Sequence, residues 1–415
     1  MKDILLHTPE GVRDIYGAEC VRKTELEKML ARVLSMYGYQ RIQTPAFEFF
    51  DIFNGDRGTV KSREMYKFFD REGNTLVLRP DITPSIARVV AKYFGDEKIP
   101  LRFSYVGNVF INNSSYQGLL KESTQMGAEF IGDDSAAADG ELIALSIEML
   151  KRSGLTKFVM DIGHAGFFSA LMEEAGLDAQ NEELLKSLIE NKNFFGIENL
   201  IEEKKINREL KNILMELPNL SGSWEILENV RTLTSNTGAL NALDRLEQVY
   251  EVVKAYGCED YVTFDLGMLT TYDYYTGVIF RGYTYGTGDA IVKGGRYDHL
   301  VGQFGKDVPA VGFALVVNQL MAALSRQGID ITLNAPAAMV LYDDGCFFEA
   351  AKEARKMRGE NIAVTMAGKN SKLTLKDYKA FCVQNRIRQI IEFIKNPEAG
   401  TITKQTWEVE QPWNI

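Results

Sequence analysis

The sequence predicts an α+β fold: an antiparallel sheet flanked by helices, carrying a helical insertion and followed by a small C-terminal α/β module. Three stretches predict it. Residues 101–131 read as two long strands joined by a polar loop. Helices bracket them, an amphipathic one at 19–37 and a second at 135–151. From about 177 to 256 strand patterning gives way to leucine-rich helical runs, after which strands return. With 415 residues the chain has room for two or three domains with sizeable cores. The expected boundaries are 1–328 for the sheet domain, insertion included, and 336–415 for the module.

Each element has a local reason. Val21, Leu26, Met29, Leu30, Val33 and Leu34 recur at helical spacing, and Gly38 stands where a C-cap glycine belongs. A strand at Gln40–Thr44 ends at Pro45, which cannot donate to a ladder. Arg63–Phe69 and Thr75–Leu78 form a candidate hairpin turning through Glu72-Gly73-Asn74. In Arg79-Pro80-Asp81-Ile82-Thr83-Pro84, Thr83 and Pro84 suit the N-cap and N1 positions of a helix running to about Phe94. The long hairpin follows. Alternation puts Lys121, Ser123, Gln125 and Glu129 on one face of its return arm, with a gap at Gly127; Met126, Ala128 and Phe130 take the other. Gln125 and Glu129 are then about 13 Å apart along the strand. Such a polar row suits a pocket floor or the wet face of an antiparallel sheet.

Later strands are expected at Lys157–Ile162, Tyr261–Gly267, Thr276–Arg281 and Ala290–Lys293. A helix from Val316 to Arg326 is entered from Gly312-Phe313-Ala314. The module would hold strands Ala338–Tyr342, Ile362–Thr365 and Arg388–Phe393, with a helix at Phe347–Met357.

Composition excludes several functions. The chain is 45% hydrophobic and 25% charged, as soluble globular proteins are. A net charge of −10 argues against a large nucleic-acid footprint, tRNA included. Cys20, Cys258, Cys346 and Cys382 are scattered, which suggests neither a zinc site nor a disulfide framework; reduced thiols and a cytoplasmic protein are expected. The N-terminal apolar run is too short for a signal peptide, and no run of 18 apolar residues predicts a membrane span. Gly286-Thr287-Gly288 and Gly294-Gly295-Arg296 match no phosphate loop and read as turns. His7, His164 and His299 have no partner at catalytic or metal-binding spacing, and no GxSxG occurs. Tyr272, Tyr274 and Tyr275 suit a core or a pocket wall.

Taken together, the motifs go further. Helix–strand–Pro45, then Leu78-Arg79-Pro80-Asp81-Ile82-Thr83, then the hairpin ending Gln125-Met126-Gly127-Ala128-Glu129, resembles the class II aminoacyl-tRNA synthetase core. Asp273-Tyr274-Tyr275-Thr276-Gly277, Gly294-Gly295-Arg296-Tyr297-Asp298 and Gly312-Phe313-Ala314-Leu315 narrow the resemblance to histidyl-tRNA synthetase and its paralogues, over about residues 1–328. It implies a six- or seven-stranded antiparallel sheet and dimerisation through about 19–45. It also implies a histidine pocket. Asp81, a glutamate in the family, would take the ammonium with Thr83 and Gln125; Glu129 would face the imidazole; Tyr274 and Tyr275 would enclose the ring.

The departures matter as much. Where the family places three arginines, this chain has Ile111, Thr270 and Gln319. At about 3 kcal/mol for each lost transition-state donor, adenylation should be abolished. Nor does the module have the basic character of an anticodon-binding domain. Among the paralogues, the chain is most similar to the regulatory subunits of ATP phosphoribosyltransferase. That likeness implies a non-catalytic role in histidine biosynthesis, with no cofactor and no metal. The implied partner is a short-form catalytic subunit, in a hetero-octamer subject to feedback by histidine. The alternatives are an active histidyl-tRNA synthetase and another amino-acid-sensing module built on the same fold.

Overall fold

The computed structural model describes residues 6–57, 60–98, 100–113, 120–268, 274–331, 337–396 and 398–410. The chain divides into two compact units, 1–14 with 26–330 and 15–25 with 331–415.

The elements begin with α1 (Gly17–Met36), β1 (Gln40–Arg41), β2 (Phe47–Phe49), β3 (Lys67–Phe69), β4 (Thr75–Leu78) and α2 (Thr83–Tyr93). The long hairpin is β5 (Leu101–Phe110) and β6 (Glu122–Ile131), and α3 (Ala136–Arg152) and β7 (Phe158–His164) follow. The insertion holds α4 (Ala165–Ala175), α5 (Ala179–Glu190), α6 (Phe194–Glu203), α7 (Arg208–Glu216), β8 (Ser221–Gly222), α8 (Glu225–Arg231) and α9 (Thr237–Ala255). Then come β9 (Val262–Asp265), β10 (Val278–Thr284), β11 (Val292–Arg296), β12 (Ala310–Val316) and α10 (Val317–Arg326).

Nine strands form one sheet in the order β1-β5-β6-β12-β11-β10-β7-β9-β8. From β5 through β7 every neighbour is antiparallel. The sheet as a whole is mixed, because β1 joins β5 and β9 joins β7 in parallel. These short edge strands raise the count above the six or seven that the resemblance implied. The segment expected as a strand at Gln40–Thr44 pairs only through Gln40 and Arg41. The hairpin at Thr75–Leu78 gains a third strand, giving the small sheet β2-β4-β3.

One expectation fails at the centre of the sheet. Gly312-Phe313-Ala314, expected as the entry to a helix, lie instead within β12, inserted between β6 and β11. The run Ala-Val-Gly-Phe-Ala-Leu-Val is covered on both faces, so it lacks the alternation that marks a half-exposed strand. Helix α10 follows it without a turn.

The start of α2 also differs. Its backbone N-cap is Ile82, with no capping side-chain bond from that residue. Asp81 Oδ1 accepts from the amides of Ile82 (2.6 Å) and Thr83 (3.3 Å) instead. The carboxylate thus satisfies the first free amides, and the Thr83 hydroxyl is released from the capping role expected of it. His164 is itself a cap: its Nδ1 accepts from the Gly166 amide at 3.1 Å, and burial, with Arg245 and Arg296 nearby, pushes its pKa down to about 4.

Helix α9 packs on α3 and α4. An ion network ties it to the sheet. Asp139, fully buried, accepts from Arg296 of β11 and Arg245 of α9, each at 2.7 Å. Among the described residues no helix is long and apolar enough to cross a membrane.

The second unit contains β13 (Ala338–Tyr342), α11 (Phe347–Gly359), β14 (Val364–Gly368), α12 (Leu375–Gln384), β15 (Gln389–Lys395) and β16 (Ile402–Glu408). Its sheet runs β14-β13-β15-β16, parallel except for β16. Ala350 and Ala354 of α11 pack with Val340 and Ile391 on one face, while Tyr378 and Cys382 of α12 pack with Met339 and Ile390 on the other. Helix α12 and strand β16 add to the three strands and one helix expected.

Candidate functional site

The polar face of β6 is no wet sheet surface: Lys121, Ser123 and Gln125 are half-buried and Glu129 is buried. Glu129 is 1% exposed. Its two carboxylate oxygens accept from the Thr83 hydroxyl at 2.7 Å and the Tyr297 hydroxyl at 2.5 Å. Asp81 lies close by, its second oxygen 3.5 Å from the Tyr274 hydroxyl. The Tyr274 ring packs edge-on against Tyr275 and Tyr297, with centroids 4.8 and 5.8 Å apart. All six residues expected in a histidine pocket, Asp81, Thr83, Gln125, Glu129, Tyr274 and Tyr275, line one cleft of about 580 Å³, its open mouth included. Ile111 lines it as well. Gln319, two residues into α10, is not among the lining residues. Thr270, with Tyr272 and Asp273, lies outside the described residues.

Close approaches build this cleft. The Gly127 gap is not ligand space: the Tyr105 ring covers it, and its hydroxyl donates to the Phe313 carbonyl at 3.3 Å. A methyl group on Gly127 would sit 2.0 Å from that carbonyl oxygen and 2.5 Å from the Tyr105 hydroxyl oxygen. Gly127→Ala is therefore expected to destabilise the chain by about 1–3 kcal/mol or more, measured as a lowered urea midpoint. Gly312 on β12 meets the same constraint, because the Glu129 carboxylate lies directly against it.

The electrostatics are unbalanced. Burial pushes the Glu129 carboxyl up to about 8, and Asp81 nearby adds to the rise. Burial also raises Asp81. Tyr105 and Tyr297 are held well above the usual phenol range by burial and by the charge of Glu129. Arg79 belongs to the same loop as Asp81 but turns away. It donates to the carbonyls of Thr44 (2.9 Å), Pro45 (3.1 Å) and Asn108 (2.9 Å). Gln125 Oε1 is buried and has no hydrogen-bond partner among the described residues. Two desolvated carboxyl groups and an amide oxygen lacking a donor suit a ligand that brings N–H groups and positive charge.

Tyr297 was quoted in the sequence only as part of a motif, and its hold on Glu129 was missed. Period-two alternation carried one residue past β11 puts Tyr297 on the face of Gly295, against which the Tyr275 ring packs.

The family model described as histidyl-tRNA synthetase matches residues 11–320. A protein of Acetivibrio thermocellus named ATP phosphoribosyltransferase regulatory subunit is 39% identical over 411 residues, covering 98% of each chain. One of the same name from Clostridium acetobutylicum is 38% identical, over 98% of this chain and 99% of that one. The crystal structure of an ATP phosphoribosyltransferase regulatory subunit/histidyl-tRNA synthetase from Bacillus halodurans C superposes with a TM-score of 0.84 at 32% identity, covering 94% of this chain and 99% of that one. The chain belongs to the histidyl-tRNA synthetase family and, within it, to the ATP phosphoribosyltransferase regulatory subunits.

Proposed function

We propose that this chain acts as the non-catalytic regulatory subunit of ATP phosphoribosyltransferase in histidine biosynthesis, and that the cleft is its histidine sensor. One observation carries the sensor reading: Glu129 and Asp81 are buried together in a cleft lined by Gln125 and a tyrosine wall, while Ile111 lines the same cleft where an arginine would meet phosphate. The features suited to an amino acid are retained and a feature suited to ATP is lost. In this reading Asp81, Thr83 and Gln125 receive the ammonium of histidine. Glu129 accepts from an imidazole N–H, and Tyr274 and Tyr275 enclose the ring.

Histidine regulates the complex by binding one of its conformations more tightly, and the usual coupling is about 1–3 kcal/mol. The partner is the short-form catalytic subunit, in a hetero-octamer. Self-association runs through about 19–45, and no tRNA is bound. Free thiols at all four cysteines accord with a cytoplasmic protein.

The test is phosphoribosyltransferase activity of the catalytic subunit with and without this chain, and with and without histidine. Activity is expected to require the chain and to fall when histidine is added. Activity that is indifferent to the chain would refute the proposal. Histidine-dependent pyrophosphate exchange is expected to be absent.

A further inference from the structure

We propose that Lys293 is the residue that receives the ligand's carboxylate, making the cleft selective for an α-amino acid over the matching amine or alcohol. The proposal rests on the histidine reading above and supplies what that reading leaves unmatched. An amino acid brings a negative group as well as an ammonium. In a desolvated cleft beside Asp81 and Glu129 a bare carboxylate is costly unless a cation meets it. Ile111 offers none. Among the described residues lining the cleft, Lys293 is the one cation.

The sheet places its side chain correctly. Strand side chains alternate, so Lys293, Gly295 and Tyr297 share a face. That face is the cleft side, since Tyr297 reaches Glu129 and the Tyr275 ring packs against Gly295. Lys293 pairs with Ala314 on β12, and Ala314 pairs with Gly127 on β6. It is therefore level with the segment between Gln125 and Glu129, two strands away, or roughly 9–10 Å. A small ligand anchored on β6 spans that distance with one end towards the lysine.

The ammonium is available. It lies 2.7 Å from Asp289, in a pair whose side chains are 33% and 47% exposed. Exposed pairs of this kind are weakly held, so exchanging Asp289 for a ligand carboxylate is cheap. A cleft carboxylate would meet the same ammonium with less competing water.

The experiment titrates histidine, histidinol and histamine into the full chain and into Lys293→Met and Asp289→Asn, with thermal melting of each variant as a folding control. Wild type is expected to prefer histidine to histamine. Lys293→Met should lose about 10- to 100-fold in histidine affinity, the scale of a charge-assisted bond, and leave histamine unchanged. Asp289→Asn, which frees the ammonium, should bind histidine several-fold more tightly. If Lys293→Met keeps the wild-type preference, Lys293 serves only to clamp its hairpin and the proposal is overturned while the histidine reading stands. If wild type binds none of the three, both fall.

Discussion

Glu129→Gln is expected to raise the thermal stability of the free protein at pH 8 while cutting its histidine affinity about a hundredfold or more. Both effects have one cause. Burial lifts the Glu129 carboxyl from 4.5 to about 8. Between those values the folded chain holds a proton that the unfolded chain has released. The stability associated with this group is therefore full below about pH 4.5, declines through the window, and is lost at about pH 8 and above. At about 1.4 kcal/mol per pH unit the window amounts to several kcal/mol. Glutamine cannot ionise, so it avoids that loss and still meets the hydroxyls of Thr83 and Tyr297. It also lacks the charge that would draw an imidazole N–H and an ammonium into the cleft. Melting curves from pH 5 to 9, with histidine titrations at pH 8, measure both. The variant should show the shallower pH slope; some slope persists because burial raises Asp81 too. Parallel slopes would mean that Glu129 is ionised in the free protein. Undiminished affinity would remove it from the site.

Asp139→Ala is expected to be the most damaging single change outside the cleft, costing about 3–5 kcal/mol. Asp139 is fully buried and Arg296 is only 5% exposed at its side chain. One carboxylate oxygen accepts from Arg296 Nε at 2.8 Å, and the other from Arg245 Nε at 2.8 Å. Removing the carboxylate leaves two guanidinium groups facing each other without their shared counter-charge. The remaining acceptors, the carbonyls of Asp133, Asp134 and Ser135 and the Asp298 carboxylate, cannot replace it fully. Equilibrium urea unfolding reads the loss. Combining Asp139→Ala with Arg245→Met should recover part of it, because one of the stranded charges is removed. A loss under about 1 kcal/mol would show that the network contributes little.

The hairpin β5–β6 was legible because long alternating strands declare their faces, and Gln125 and Glu129 fell on the same side as expected. Helix α1 was legible from the spacing of its apolar residues and from the glycine after its end. Strand β12 was not, because both of its faces are buried and the pattern that distinguishes strand from helix vanishes with full burial. The α2 cap was assigned to Thr83 because Thr before Pro is a strong signal. Aspartate two residues earlier is as good an acceptor, and only three-dimensional proximity to Glu129 decides which side chain caps. The six expected cleft residues came from three separate segments, and periodicity within one segment cannot report that three converge. The resemblance supplied that convergence. Tyr105 over Gly127 escaped for the same reason, since the gap on one strand is filled from its neighbour.

The position of Glu129 has a consequence for how such a protein can drift. Its sequence neighbours Ala128 and Phe130 are 0% and 3% exposed, and its own carboxylate lies against Gly312 of the central strand. A side chain of another shape there disturbs the interior as well as the cleft, so packing confines this position to glutamate and its near-isosteres. Ile111 stands immediately after β5, at the half-buried margin of the cleft. A point change at such a margin costs the interior little, whereas the wall around Glu129 is held in place by the packing of the sheet.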